Sequence, residues 1–96
     1  METGQESEWL KILRVAELLL AGERSAAELM AARGLSRATL MRYLAELRHV
    51  GCDIVSIREG GERARYSLRN GQAVEGRMRA WIGLEESRDL RDPARF

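Results

Sequence analysis

Few side chains in this sequence are of a type that makes or breaks bonds. There is one histidine, His49, and one cysteine, Cys52. They stand three apart across what reads as a helix end, which is too few ligands for a tetrahedral metal site. Glu85 and Glu86 are adjacent carboxylates beside Arg88, and the pattern gives them no pocket to face into. Neither a Gly-x-Ser-x-Gly turn nor a phosphate-binding loop occurs. The residues therefore predict no enzyme, no metal and no cofactor. What they offer instead is the guanidinium group, since 15 of the 16 basic residues are arginine. Arginine makes bidentate contacts to phosphate and to guanine edges, which a lysine cannot. A G+C-rich genome also produces an arginine bias whatever the function.

The arginines are not evenly spread. Residues 1–32 carry three basic and six acidic side chains, a net −3. Residues 33–69 carry eight arginines against four acids, a net +4, and from residue 70 onward five of each cancel. The positive charge sits in the middle segment, where a surface facing nucleic acid would have to be. The whole chain is nearly neutral at +1, which leaves open a protein-facing use of the same surface.

The elements that must position these arginines can be read from period and punctuation. Ser7 precedes an amphipathic helix over 8–21, with Leu10, Ile12, Leu13, Ala16, Leu19 and Leu20 on a broad apolar face and Gly22 as its stop. Ser25-Ala-Ala-Glu28 is a capping box that starts a short second helix, with Leu29 and Met30 inward and Gly34 at its end. Leu35-Ser36 forms a turn, and Ser36 caps a third helix over 37–50, stopped by Gly51. At 100° per residue, Leu40, Tyr43, Leu44, Leu47 and Val50 share one arc. Ala38, Met41, Arg42, Ala45 and His49 fall opposite, with Arg37 and Arg48 on a flank. Short side chains interleaved with arginine are what a helix lying against base edges needs.

Beyond Gly51 the period shortens towards two. Residues 54–58 and 63–68 read as strands joined by Glu59-Gly60-Gly61-Glu62, a hairpin with Tyr66 and Leu68 on one face and Arg63, Arg65 and Ser67 on the other. After Asn70-Gly71, the apolar positions Val74, Met78, Trp81 and Ile82 predict a fourth, amphipathic helix over 73–86, weakened by Gly76 and Gly83. Residues 1–7 and 87–96 are expected to be flexible ends. The expected fold class is mainly α with a small β-hairpin, a three-helix core plus a C-terminal helix, in a single domain over 8–69.

The stretch Leu35-Ser-Arg-Ala-Thr-Leu-Met-Arg-Tyr-Leu-Ala-Glu-Leu-Arg-His-Val-Gly-Cys-Asp-Ile54, closed by Tyr66-Ser-Leu68, resembles the winged helix-turn-helix DNA-binding domains of the biotin operon repressor family and of sugar-operon repressors. The resemblance covers residues 10–68 and rests on Leu-Ser at the turn, the Leu40/Leu44/Leu47 ladder, Gly51 and Ile54. It implies that the helix over 37–50 enters the major groove of double-stranded DNA with its N-terminal residues at the base edges. Ser36 and Thr39 would contact phosphates or bases, and Arg37, Ala38, Met41 and Arg42 would face the groove. Arg58, Arg63 and Arg65 would be wing contacts to phosphates or the minor groove. The 28 residues after Leu68 leave no room for a ligase or effector domain, so neither biotin chemistry nor sugar sensing is expected.

The expectation is a sequence-specific transcriptional regulator, a repressor of a mobile element, phage or nearby operon, acting as a homodimer. Two alternatives stand beside it: a winged-helix protein-interaction module, and an architectural or recombination accessory factor. For the fourth helix two uses are open. Trp9, Met78, Trp81 and Ile82 either cover the domain's own core or form a dimer interface. The single cysteine fits a reducing cytoplasm, and hence a cytoplasmic, nucleoid-associated protein. No apolar run long enough to span a membrane and no signal peptide are read.

Overall fold

Three serines set the frame of the molecule. Each accepts a backbone N–H from three residues on: Ser7 from Leu10, Ser25 from Glu28 and Ser36 from Thr39, at 3.0, 3.0 and 3.1 Å. They stand at the N-termini of α1 (Glu8–Ala21), α2 (Ala26–Arg33) and α3 (Arg37–His49), satisfying amides that helix geometry leaves without partners. The computed structural model describes residues 6–59 and 63–90. Within them, β1 (Arg24–Ser25) lies between α1 and α2, β2 (Ile54–Glu59) and β3 (Arg63–Leu68) follow α3, and α4 (Gly71–Leu90) comes last. The architecture is thus four helices with a small three-stranded antiparallel sheet, an α+β fold that is mainly helical.

Both halves of the capping box form: Glu28 also accepts from the Ser25 backbone N–H at 2.8 Å. Helix α2 ends at Gly34, which takes up φ +66°, a left-handed conformation that glycine enters without cost. At the far end of α3 the helix closes one residue earlier than its periodicity suggests, with Val50 as the C-cap. Gly51 follows at φ +103°, and any Cβ there would meet the Arg77 guanidinium at 3.0 Å.

The sheet order is β1-β3-β2, so β3 is the central strand. Ile54 pairs with Leu68 and Ser56 with Tyr66, continuing out to Glu59 opposite Arg63. On its other edge β3 pairs with β1, placing Arg24 opposite Tyr66 and Ser25 opposite Arg65. A two-residue strand has no readable period, and β1 is absent from the sequence-based expectation for that reason. Its effect is to bind the hairpin to the start of α2.

The core gathers Leu10, Leu13, Val15, Ala16 and Leu19 of α1, Leu29 of α2, and Leu40, Tyr43, Leu44 and Leu47 of α3, with Ile54 and Tyr66 from the sheet. Val74, Met78 and Ile82 of α4 complete it. Helix α4 runs from Gly71 to Leu90, longer at both ends than the expected 73–86. Its start is held by Asn70, whose carbonyl accepts from Ala73 and Val74 at 3.0 and 3.1 Å. The Asn70 side chain meanwhile accepts from Asp53 N–H and donates to the Gly51 carbonyl, both at 2.9 Å, so one residue ties the hairpin's entry to its exit. The two glycines inside α4 are tolerated because three buried apolar side chains hold the helix on the core.

Of the four residues with two open uses, Met78 and Ile82 pack into the core of the single chain, where they are 0% and 6% exposed. Trp9 and Trp81 stay half-buried at the α1–α4 seam. Among the described residues, no helix is long and apolar enough to cross a membrane.

Candidate nucleic-acid interface

Helix α3 buries Leu40, Tyr43, Leu44 and Leu47 and leaves Arg37, Ala38, Arg42, Ala45, Glu46, Arg48 and His49 exposed. The leucine ladder is therefore what aims the arginines outward: rotation of the helix about its axis would drag the apolar arc into water. Met41 departs from the helical-wheel expectation. It is half-buried, and its Sδ lies 3.8 Å from the Tyr66 hydroxyl, because the Tyr66 side chain reaches across from β3 to that side of the helix. The strip of α3 left open is accordingly narrower than a bare wheel suggests, with Arg37, Ala38 and Arg42 at its N-terminal end.

At the start of α3, the Ser36 hydroxyl accepts from Thr39 N–H and donates to the Thr39 hydroxyl oxygen at 3.0 Å. Ser36 and Thr39 line an open cleft of about 310 Å³ together with Lys11, Arg33, Tyr43 and Glu6. The first amides of α3 point out of the helix end, and Lys11 and Arg33 add positive charge beside them. Glu6 meets that charge from within the chain, pairing with Arg33 and, at 3.4 Å, with Arg14. The Tyr43 hydroxyl is pushed above its ordinary range by burial and then by the neighbouring Glu8 charge, with Arg42 opposing. Like any phenol it is protonated, and able to donate a hydrogen bond, at neutral pH.

The arginines expected at the surface divide into three situations. Arg37 is exposed and has no ion-pair partner among the described residues. Arg42 is exposed but engaged: its Nη1 lies 2.9 Å from the Glu8 carboxylate, and its guanidinium sits 5.3 Å over the Tyr43 ring. Arg65 lies on the central strand, not at the hairpin tip, where its Nε donates to Glu23 at 3.1 Å and its Nη2 lies 3.9 Å from Glu28. Arg58 and Arg63 occupy the last pairs of the hairpin, opposite Ala64 and Glu59. Their side chains, and the turn at 60–62, lie outside the described residues.

Arg48 and the two acids Glu8 and Glu23 acquire roles that local pattern did not assign. Arg48 Nε donates to the Ile54 carbonyl at 3.0 Å and so ties α3 to the first hairpin strand. Glu8 and Glu23 reach arginines 34 and 42 residues away, a separation at which helical or strand periodicity carries no signal. His49 is exposed, whereas Cys52 is buried with its Sγ 3.8 Å from the Met78 sulfur. Among the described residues, no group of three or more His, Cys, Asp or Glu side chains is placed to hold a metal.

Comparison with protein-family models, with curated proteins and with solved structures finds no match for this chain.

Proposed function

We propose that the chain is a sequence-specific double-stranded DNA-binding regulator of the winged helix-turn-helix type, with α3 as its recognition helix and β2–β3 as its wing. The observation that carries this reading is the exposed N-terminal end of α3. There Arg37, Ala38 and Arg42 stand clear of the core beside a serine-capped helix start. Such a face combines backbone amides for phosphate with arginines for base edges, and small side chains that let the helix approach. The element order of helix, capped short helix, tight turn, helix, glycine and hairpin also supports it. In this reading α4 covers the core, the role of Arg58 and Arg63 is phosphate or minor-groove contact, and the chain is a repressor and not an enzyme.

The test is selection of bound duplexes from a random DNA pool, with an Arg37→Ala/Arg42→Ala double variant as control. A single enriched motif that the control loses is the expected result, and a two-fold repeat within it would indicate a dimer bound to paired half-sites. Absence of enrichment would overturn sequence-specific binding.

One observation favours a second reading, a protein-interaction module: Arg42 and Arg65 already have carboxylate partners within the chain. Salt separates the two. A protein contacting about 6–10 phosphates loses roughly 10³–10⁵ in affinity between 50 and 200 mM salt. An interaction module shows no such dependence on duplex DNA.

A further inference from the structure

The ion pairs at this surface share a direction. The arginines come from the proposed reading surface on α3 and the hairpin, and the acids come from the acidic N-terminal part of the chain. Glu8, in the first turn of α1, holds Arg42 at 2.9 Å. Glu23, in the segment between α1 and β1, holds Arg65 at 3.1 Å and also accepts from its Nη2 through the backbone carbonyl at 3.5 Å. Glu6 likewise pairs with Arg33, the last residue of α2, at the rim of the cleft beside Ser36 and Thr39. By contrast Glu46, on α3 itself, takes no arginine among the described residues. Among the described residues, three acids of the net-negative segment 1–32 are thus brought by the fold against arginines of the net-positive segment 33–69.

We infer that Glu8 and Glu23 are intramolecular competitors of DNA phosphate, holding Arg42 and Arg65 until a duplex displaces them. This inference rests on the DNA-binding reading above. Its physical basis is exchange. In both pairs the side chains are partly or largely solvent-exposed, between 38% and 55%, so each pair is weak enough to open. A phosphate that takes either arginine must release a carboxylate, which then regains a cation from solution. One counterion fewer is released overall for each pair opened, so binding is both weaker and less salt-dependent than the arginine count implies. Loose, sequence-independent association is what this cover suppresses most, because there no base-edge hydrogen bonds compensate for the exchange.

The experiment uses the full chain and measures Kd for a mixed-sequence duplex across a salt series. The wild type, Glu8→Gln/Glu23→Gln and a charge-matched Glu75→Gln/Glu86→Gln variant are compared. The control removes two acids from α4, where they pair with Arg79 and Arg14. Thermal melts establish that each variant is folded. Removing these two carboxylates, with Glu28 left 3.9 Å from Arg65, is expected to tighten binding about two- to fivefold per acid removed. It is also expected to steepen the slope of log K against log salt by up to about two. The control changes the net charge equally but frees no arginine of the proposed reading surface, so its slope should remain that of the wild type. Equal slopes in all three, with measurable binding, overturn the competition and leave the DNA-binding reading standing. No salt-dependent binding by any of the three overturns both.

Discussion

The indoles of Trp9 and Trp81 lie 5.6 Å apart between centroids, with their planes tilted by 52°. One is in the first turn of α1 and the other in the second half of α4, so the pair joins the two ends of the described chain. The Arg77 guanidinium sits 5.7 Å from the Trp81 ring. Nearby, the Ser7 hydroxyl donates to Glu85 at 2.9 Å. A tilted aromatic pair contributes about 0.5–1.5 kcal/mol beyond the area that it buries. Because Trp81 is only half-buried, Trp81→Ala is expected to lose about 1–3 kcal/mol, less than a fully buried tryptophan. A thermal melt should fall by roughly 4–8 °C per kcal/mol in a domain of this size. An unchanged melt would mean that α4 is not docked on α1 in solution.

Met78 is fully buried against the sulfur of Cys52 and the α1 face. Met78→Ala is expected to cost about 2–5 kcal/mol, the usual range for a cavity left by this change. Denaturant unfolding at several protein concentrations checks it. A midpoint that shifts equally at all concentrations agrees with intramolecular packing. A shift seen only on dilution would show instead that Met78 acts between chains.

Burial pushes the Cys52 thiol above its ordinary range, and the nearby Arg77 charge opposes this only in part. A raised pKa leaves less thiolate at neutral pH, and thiolate is the reactive form. The native protein should therefore be modified slowly by a thiol reagent at neutral pH and rapidly once denatured. Fast labelling of the folded chain would contradict the packing of Cys52 under α4.

The Glu28 carboxyl is held below its usual range by the Ser25 backbone N–H that it accepts, with Arg65 and Arg24 adding to the effect. A depressed folded pKa means that this contribution is present above the ordinary glutamate value of about 4.3 and is lost as pH falls through the folded value. Glu28→Gln should lower the neutral plateau of a stability–pH curve while leaving its acid end nearly in place, so that the acid limb is flatter. Ser25→Ala, which removes the cap itself, should cost about 0.5–2 kcal/mol at neutral pH. An acid limb identical in Glu28→Gln and wild type would assign that limb to other carboxylates.

Arg42→Ala is expected to weaken binding to the selected duplex, where it reads a base edge, by about 1–3 kcal/mol, and to weaken binding to random duplex, where it meets only phosphate, by less. Paired titrations on the two duplexes decide this. An equal loss on both would make Arg42 a phosphate contact on either duplex and remove it from base reading.

Much of the frame was determined by the sequence alone, because its signals are local. Ser25 and Glu28 are three residues apart, so the capping box forms within one turn whatever packs on it. The bounds of α1 follow from Ser7 and Gly22, and the inward arc of α3 from its leucine spacing. The two hairpin strands were legible from the change of period after Gly51. What only the tertiary structure decided involves groups far apart along the chain. Strand β1 exists because β3, some 40 residues later, supplies its partner. Met41 is half-buried because Tyr66 arrives beside it, and α4 runs past its glycines because the core holds it. Above all, Glu8 and Glu23 meet Arg42 and Arg65 only after folding brings an acidic end of the chain against a basic middle. Charge acts through space, so a sequence displays how many arginines there are, and the fold decides which of them stand free.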